Sequence, residues 1–443
     1  MKRHHQTSGA MKPPSPARRA GRAAFTLIEI LVALSAGVFV SVAAFAMSKN
    51  ATAFFQHEAR IASAQLALTL GLNRLTGDLA RASFLSTPNA TSDPMVCSDP
   101  SWAGAPGVSS LAGVAVLAGT STGQNAANGF TPDRLEIGGS LDVSETFTVQ
   151  CVLTGTGGGL ALQLQSPQFD GAMARVVASL APAELLQTRL QSMFGPGRYV
   201  QILDPATGYK VFGVLANSPN VAVVSDVATV QLQASPGIPQ KPARPCGIIA
   251  PPSCGAGLLM SVVSRVRYDV RSMQGVAGPY AALVTPKDAN IGAITGDNGR
   301  TELVRVEVGA ANTELPASLE VVAEYAVDMR VGITAVTSRI TNDNYNPTVK
   351  TYEIGDANIY AIAGDVAGGT ATPQFIRAVQ VRLATRTRAP DRETDLETGA
   401  DGRRLRFLIP GTQGPRPGST GYARLRTAYV NVSLLNQGGF SLW

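Results

Sequence analysis

The first strong feature of the chain is an unbroken apolar run over residues 25–47, FTLIEILVALSAGVFVSVAAFAM. An α-helix of this length rises about 1.5 Å per residue and extends roughly 35 Å, enough to cross the hydrocarbon layer of a membrane. The run contains a single charged residue, Glu29, close to its start. We therefore predict a transmembrane helix in which the acid requires a separate explanation, because a carboxylate is unfavourable in lipid.

The apolar pattern continues beyond this run as a stripe with helical spacing, and no proline interrupts the chain between Pro16 and Pro88. Spacings of three, four and seven residues mark one face of an amphipathic helix. We predict one continuous helix over residues 25–86, whose second half packs on a globular domain. The stripe consists of Phe54, Ile61, Leu68, Leu72, Leu75, Leu79 and Ala82.

Four other positions in this second half are interpreted from their spacing and residue type. Arg74 and Asp78 lie four residues apart, and we place them on the exposed side of the helix, where they would pair weakly. Gly71 and Gly77 would each weaken an isolated helix by about 1 kcal/mol. Tertiary packing must compensate for both glycines.

Residues 87–130 have the composition of loops, with one strand near 113–117, and beyond them apolar and polar positions alternate. This alternation predicts a sheet with one solvated face. One segment, 316–334, breaks the pattern, and we predict a short helix there that begins near Ser318, with Glu320 in its first turn, and leads into a strand. The predicted strands are DRLEI, ETFTVQCVL, LALQLQ, RYVQIL, YKVFGVL, VATVQLQ, SVVSRVRYDV, ELVRVEV, FIRAVQVRLAT and AYVNVSLL.

These elements predict an α+β fold in which a long N-terminal helix packs on a large antiparallel β-rich head. We divide the chain into a leader of residues 1–24, the helix of residues 25–86 with its transmembrane part at 25–47, and a head of residues 87–443. The composition is 45% hydrophobic and 15% charged, with 45 Gly and 28 Pro. Such a composition is typical of a β-rich fold with many turns.

The formal net charge of +6 comes entirely from the leader. Residues 1–24 hold six basic residues and no acidic one, which leaves 31 basic and 31 acidic residues in the rest of the chain. Positive residues beside a transmembrane helix stay cytoplasmic, so we expect a cytoplasmic N-terminus and a head on the opposite side of the membrane. The balanced charge of the remaining chain gives no reason to expect a nucleic-acid partner.

Four cysteines, Cys97, Cys151, Cys246 and Cys254, follow the transmembrane segment, on the side that we expect to be oxidising. They allow three pairings. We favour Cys246–Cys254 with Cys97–Cys151, because the first pair closes a short loop rich in proline and glycine. Buried free thiols are the alternative, and the absence of a CxxC spacing argues against zinc or thioredoxin-like chemistry.

The sequence gives little support for catalysis. The three histidines are His4, His5 and His57, so none lies in the predicted head. A histidine-based nucleophile system or a histidine-ligated metal site therefore cannot be built there. We find no GxSxG, Walker or HExxH motif and expect neither an enzymatic activity nor a cofactor.

Acidic and amide residues cluster in three predicted loops. We interpret Asp391, Glu393, Asp395 and Glu397 as a solvated turn rather than a catalytic carboxylate pair. The runs KDANIGAITGDNG at 287–299 and TNDNYNP at 341–347 contain the oxygen ligands that calcium prefers, but neither has the spacing of an EF-hand. Turns rich in Asn, Asp and Gly explain both runs better, and we predict no metal site.

Glu29 has no basic partner in the apolar segment. The first basic residue after it is Lys49, about 30 Å further along a helix. We expect its partner to come from another chain, or from a new amino group created by cutting the leader. A cut between Ala24 and Phe25 meets this need, because the α-amine of Phe25 becomes a positive charge that Glu29 of a neighbouring subunit can capture.

The segment AFTLIEILVAL resembles the cleavage and methylation motif of type IV pilins and type II secretion pseudopilins. The resemblance implies that the prepilin peptidase cuts after Ala24 and that the new N-terminal residue, Phe25, is N-methylated. It also implies that Glu29 promotes assembly by meeting the N-terminus of an adjacent subunit. The chain departs from the family in having Ala24 where glycine is usual, and its leader is longer than many.

Further segments resemble PilW-type minor pilins and the related J-type minor pseudopilins, in the order that the family has along its chain. The pair Leu435–Asn436 stands where the family usually has Arg-Asn, so we assign no role to it. The similar segments are HEARIASAQLALTLGLNRLTGDLARASF, SRVRYDVRS, TELVRVEV, VVAEYAVDMRVGI, IRAVQVRLATRTRAP and RLRTAYVNVSLLN.

The resemblance implies a type IV pilin-like fold and a non-catalytic minor pilin that moves from the bacterial inner membrane into a pilus, which serves adhesion and motility. The implied partners are the prepilin peptidase, other major and minor pilins through the N-terminal helix, and a tip adhesin. Two alternatives stay open: a minor pseudopilin of a type II secretion system, and a monomeric membrane-anchored binding or adhesive protein. A secretory signal peptide ending near 44–46 is a further alternative, but Glu29 and the unbroken helix argue against it.

Overall fold

The computed structural model describes residues 26–99, 102, 106–119, 123–217, 220–243, 246–274, 297, 299–337, 348–366, 370–390, 406–413 and 420–438. It confirms the α+β class, with one long N-terminal helix and a large, mainly antiparallel β-rich domain. The chain forms two compact units, Met1–Glu58 and Ala59–Trp443.

Helices in the described residues are short except for the first. They are α1 (Leu27–Ala80), α2 (Pro106–Ser109), α3 (Gly123–Ala127), α4 (Gly171–Ala178), α5 (Leu186–Met193), α6 (Asn358–Ala363) and α7 (Leu435–Gly438). Single 3-10 turns lie at Thr156–Gly158, Pro316–Ser318 and Pro373–Phe375.

The strands follow the alternating segments of the sequence, and each of the predicted strands is present. The first ten are β1 (Val114–Leu117), β2 (Arg134–Gly139), β3 (Thr146–Thr154), β4 (Leu160–Leu164), β5 (Tyr199–Leu203), β6 (Lys210–Val214), β7 (Val221–Val224), β8 (Val227–Gln231), β9 (Gln240–Lys241) and β10 (Ile248–Ile249). The others are β11 (Ser253–Arg271), β12 (Glu302–Glu307), β13 (Glu320–Ala323), β14 (Ala326–Val336), β15 (Val349–Tyr352), β16 (Ile376–Arg386), β17 (Arg406–Gln413) and β18 (Thr420–Ser433).

Strand β11, 19 residues long, organises the larger sheet. Its first half pairs with β3 and β5, and its second half pairs with β2 and β12. The central order of this sheet is β1-β2-β11-β3-β4-β8-β7, and β12–β13 and β5–β6 branch from β11. A second sheet has five strands in the order β15-β14-β16-β18-β17. Strands β9 and β10 form a separate parallel pair.

The largest core lies where the second half of α1 meets both sheets. From Ile61 to Ala82 its apolar stripe is buried, as the spacing predicted, except for Leu72, which is partly buried, whereas Phe54 in the first unit is 61% exposed. Members of this core include Leu68, Leu75 and Leu79 of α1, Val266 and Leu303 of the larger sheet, and Val381 and Leu383 of the smaller sheet.

At Gly71, α1 lies close to side chains of both sheets. A Cβ atom at this position would lie 3.0 Å from the Cβ of Ala323 and 3.1 Å from Cδ2 of Leu383. At Gly77, by contrast, a Cβ atom would meet nothing within 4 Å. Gly71 is therefore required by packing, while Gly77 only carries the cost of a flexible residue in a helix.

The end of α1 differs from the sequence prediction. Helix α1 ends at Ala80 rather than near Ser86, because the backbone turns into the left-handed region at Ser83 (φ 62°) and Leu85 (φ 48°). The N–H of Ser83 donates to the carbonyl of Gly138 at 2.8 Å, so the chain leaves the helix to join β2.

The predicted helix beginning near Ser318 is wrong. Residues 320–323 form β13, whose β-branched Val321 pairs with Val304 of β12. Tyr325, at φ 53°, makes the turn from β13 into β14, which belongs to the second sheet. The apolar spacing in this segment reflects burial of successive strand residues rather than one face of a helix.

The cysteines form two disulfides, as expected, but the favoured pairing is wrong. The bonds are Cys97–Cys246 and Cys151–Cys254. Cys151 and Cys254 face each other across β3 and β11, with Cα atoms 4.0 Å apart. The register of strands that are 103 residues apart in sequence decides this pair, and spacing along the chain does not reveal it.

Replacing Gly71 or Gly77, the two glycines in the second half of α1, with leucine tests the packing around the helix. We expect Gly71→Leu to lower the free energy of unfolding by roughly 1–3 kcal/mol or more, because the added atoms overlap Ala323 and Leu383. Gly77→Leu should raise it by up to about 1 kcal/mol, because leucine is the better helix former and has open space. Denaturant unfolding of the full chain in detergent measures both changes, and equal effects of the two variants would contradict this packing.

Candidate functional site

The first half of α1 presents an apolar surface that nothing in its unit covers. Every described residue from 27 to 47 is exposed, including Leu27 (81%), Phe39 (76%) and Phe45 (74%). A contiguous apolar surface of this extent marks contact with a membrane or with another protein. Within the described residues, α1 is the one helix long and apolar enough to cross a membrane, which is consistent with single-pass anchoring.

Glu29 lies in the first turn of this helix and closes a hydrogen-bonded cap with Thr26. Its carboxylate oxygen Oε2 accepts from the backbone N–H of Thr26 at 2.9 Å and from the Thr26 hydroxyl at 3.0 Å. The N–H of Glu29 in turn donates to the Thr26 hydroxyl at 3.3 Å. This reciprocal arrangement is a capping box, which satisfies N–H groups that have no partner inside the helix.

The cap gives Glu29 a partner within its own helix, in addition to the partner that we expect from another chain or from a new amino group. One carboxylate oxygen is satisfied by the helix that carries it, and the positive end of the helix dipole also favours a negative charge there. The second oxygen, Oε1, receives no hydrogen bond from the described residues, so it can still accept one. The sequence carried a sign of this cap, because Thr26 and Glu29 have the S/T-x-x-E spacing of a capping box.

The second half of α1 is held in its unit by a buried carboxylate, Asp78. Its oxygen Oδ2 accepts from Nε of Arg305 at 2.7 Å and from the hydroxyl of Tyr268 at 2.8 Å. Arg305 also donates to Asp142 at 3.1 Å. These contacts attach α1 to β11 and β12, two adjacent strands of the larger sheet.

The position of Asp78 differs from the prediction of an exposed pair. Asp78 is 2% exposed, whereas Arg74, the predicted partner, is half-buried and 3.5 Å away. Arg74 also reaches Glu320 of β13 at 3.3 Å. A carboxylate on the packing face interrupts an otherwise apolar stripe, and only the position of Arg305 in the folded chain explains it.

Charges in this cluster shift the titration of its members. Burial and the carboxylate of Asp78 raise the pKa of Tyr268 above its ordinary value. Burial alone would lower the pKa of Arg305, but the carboxylates of Asp78 and Asp142 outweigh it and raise the pKa. Both side chains therefore keep their protons, and with them their hydrogen bonds to Asp78, over the physiological pH range.

Residues near the C-terminus close the other end of α1. The side-chain amide of Asn436 donates to the carbonyl of Ala80, one of the last carbonyls of the helix, at 3.2 Å. The neighbouring Gln437 is fully buried beside Ser83. Asn436 thus satisfies a carbonyl that a helix end leaves without a partner. The sequence prediction assigned no role to Asn436.

Several residues singled out from the sequence lie outside the described part of the chain: Ala24, Phe25, Asp391, Glu393, Asp395, Glu397 and the run 341–347. Of the other candidate calcium run, Asp297 is described, and its carboxylate accepts hydrogen bonds from Arg388 and Tyr325. The described residues contain no group of three or more His, Cys, Asp or Glu placed to hold a metal ion.

Comparisons of the chain with protein-family models, with curated proteins and with solved structures find no match. The candidate site is therefore interpreted from its own geometry: an apolar helix surface with a capped acid at its start. Such a surface can insert into lipid or pack against other apolar helices.

Alanine substitutions at Asp78 and Arg74 test the attachment of α1. We expect Asp78→Ala to lower the free energy of unfolding by about 3–5 kcal/mol, because it leaves Arg305 buried without its main partner. Arg74→Ala is the matched control, and it should cost less than about 1 kcal/mol because its ion pairs are half-exposed. Denaturant unfolding of the full chain in detergent measures both, and a loss at Asp78 as small as that at Arg74 would contradict the anchoring role.

Proposed function

We propose that this chain is a type IV pilin-like protein of the PilW minor-pilin class, a non-catalytic subunit that moves from the membrane into a helix-packed fibre. The observation that carries the proposal is the difference between the two halves of α1. The exposed apolar half of α1 carries Glu29 in its first turn, and the other half is buried in a β-rich domain. The pilin-like fold and the resemblance of residues 24–34 to prepilins are parts of the same proposal.

Burial of apolar surface drives the proposed assembly. Before assembly, lipid covers residues 27–47. Helices of other subunits replace the lipid once the leader is removed, so the apolar surface stays out of water throughout. The positive charges of the leader hold the N-terminus in the cytoplasm until the cut between Ala24 and Phe25.

The capping box gives Glu29 a role both before and after assembly. In the membrane, the bonds from Thr26 offset part of the cost of burying a carboxylate near the lipid. After cleavage, the free oxygen Oε1 accepts a hydrogen bond from the N-terminal amine of Phe25 in a neighbouring subunit. A hydrogen bond between charged groups contributes about 1.5–3 kcal/mol, enough to select one register between two otherwise featureless apolar helices.

The two disulfides support a head outside the cytoplasm. Disulfides persist in oxidising compartments such as the bacterial periplasm and are rare in the cytosol. Cys97–Cys246 and Cys151–Cys254 both lie in the unit that follows the apolar helix. This location agrees with the orientation that the basic leader predicts.

A minor pseudopilin of a type II secretion system would use the same chemistry, and the genes neighbouring this one would separate the two machines. A monomeric membrane-anchored binding protein is the other alternative. It would need the apolar helix and the cap, but not a charge at Glu29. The charge at Glu29 is therefore the property to test.

Replacing Glu29 with glutamine separates the cap from the charge. Glutamine also serves in a capping box, so we expect Glu29→Gln to be cleaved, to stay in the membrane and to keep its folded head. Loss of the charged contact should reduce its recovery in sheared fibres by about tenfold or more, the effect of roughly 1.4 kcal/mol. Immunoblots of fibre and membrane fractions measure both pools.

Thr26→Val is the matched control, because it removes the capping hydroxyl and keeps the carboxylate. We expect this variant to enter fibres at close to the normal level. Normal incorporation of Glu29→Gln would rule out the charge contact. Failure of Thr26→Val alone would show instead that the cap, and not the charge, is what assembly requires.

A further inference from the structure

The second sheet has a strand whose edge is only partly paired. Strand β18 pairs with β16 along residues 425–433. On its other side, β17 pairs with the start of β18 alone, at Thr420 and residues 422–424. In the described part of the chain, residues 427–433 therefore have a neighbouring strand on one side only.

The hydrogen bonds at the ends of this ladder show which backbone groups face the open side. The N–H of Thr387 donates to the carbonyl of Arg424, and the N–H of Leu434 donates to the carbonyl of Arg377. Even-numbered residues of β18 thus direct their N–H and C=O groups towards β16. Because these directions alternate along an antiparallel strand, the odd-numbered residues direct theirs to the open side: Thr427, Tyr429, Asn431 and Ser433.

Several side chains of residues 427–433 are exposed to solvent or only partly buried. Tyr429 is 68% exposed, and Asn431 is exposed beside it. On the opposite face, Ala428 and Val430 pack against the largest core but are only partly buried. A strand added beside β18 would satisfy the open backbone groups and cover these apolar side chains at the same time.

On the neighbouring strand, β17, a side chain occupies backbone groups that face outward. The side-chain amide of Asn128 donates to the carbonyl of Leu408 at 2.8 Å and accepts from its N–H at 2.7 Å. Asn128 thus occupies an outward-facing pair of backbone groups on β17. Proteins commonly block exposed edges in such ways to prevent unwanted strand pairing. The described residues provide no comparable cover at residues 427–433 of β18.

Charge indicates what kind of strand would fit. Strands β14–β18 contain eight basic residues and one acidic residue, Asp328, although the chain after the leader is balanced. Arg382 pairs with Asp328 and Arg330 with Asp133, so at least these two basic residues have an acidic partner close by. The basic residues are Arg330, Lys350, Arg377, Arg382, Arg386, Arg406, Arg424 and Arg426.

We propose that the open edge of β18, residues 427–433, binds an extended strand of a partner polypeptide that carries acidic side chains. The open N–H and C=O groups would provide the ladder, and the basic sheet would favour acidic residues over basic ones. The open residues of a second copy, TAYVNVS at 427–433, carry no charged side chain, so a second copy lacks the acidic residues that the basic sheet would favour. The proposal concerns the head alone and does not depend on the pilin assignment.

Residue-level hydrogen exchange of the full chain in detergent tests this edge directly. The probe is a synthetic eight-residue peptide of alternating valine and glutamate, and its counterpart has lysine in place of glutamate. In the free protein, we expect fast exchange at the amides of Thr427, Tyr429 and Asn431 and slow exchange at Ala428 and Val430. The glutamate peptide should slow the three odd-numbered amides by about tenfold or more and leave the even-numbered ones unchanged. The lysine peptide should have a clearly weaker effect.

Two variants of one residue supply the control. Asn431→Pro removes one open N–H without touching the bonds to β16, and it should abolish the protection by the glutamate peptide while Ala428 and Val430 remain slow. Asn431→Ala keeps the N–H and should bind the peptide normally.

Three results would overturn the proposal. Slow exchange of the odd-numbered amides in the free protein would mean that the edge is already covered. Protection that appears on concentrating the protein without peptide would identify a second copy as the occupant. No protection by the glutamate peptide, or equal protection by the lysine peptide, would exclude an acidic strand.

Discussion

The packing of the second half of α1 into the head is the contact on which the rest of the structure depends. Gly71 lets the helix approach Ala323 and Leu383, and buried Asp78 ties it to Arg305 and Tyr268. Both sheets contribute side chains to this core. The second half of the helix is therefore part of the head, while the first half belongs to the other unit and is exposed there. In the proposed function, lipid covers residues 27–47 first and the helices of other subunits cover them afterwards.

The sequence singles out Glu29 as an unusual residue but did not lead us to its local hydrogen-bond partner. An acid in an apolar helix needs a partner. From the sequence, we expected this partner to come from another chain or from a new amino group. The structure provides a local one, the capping Thr26, which makes the acid tolerable without any neighbour. The cap uses one oxygen, and no described residue bonds the other, so the proposed assembly contact would not compete with the cap for the same oxygen.

Local patterns predicted the long helix and the clearest strands, because segments such as VRVEV and VQVRL alternate strictly. Features decided by distant parts of the chain were missed. Burial of Asp78 depends on Arg305, which is 227 residues away, and the disulfide pairing depends on the register of β3 and β11. The apolar spacing of residues 316–334 fits a helix or two strands equally well, and pairing with β12 decided for strands. Helices α4 and α5 are too short to show a clear period, although Asp170 caps α4.

The central claim is that the apolar half of α1 is a membrane anchor until the leader is removed, and a packing surface afterwards. Mass spectrometry of the N-terminus of the protein, purified from cells that make fibres, tests this claim most directly. The account predicts a chain that begins at an N-methylated Phe25. An intact leader in such cells, or a chain that begins at Met47, would contradict it.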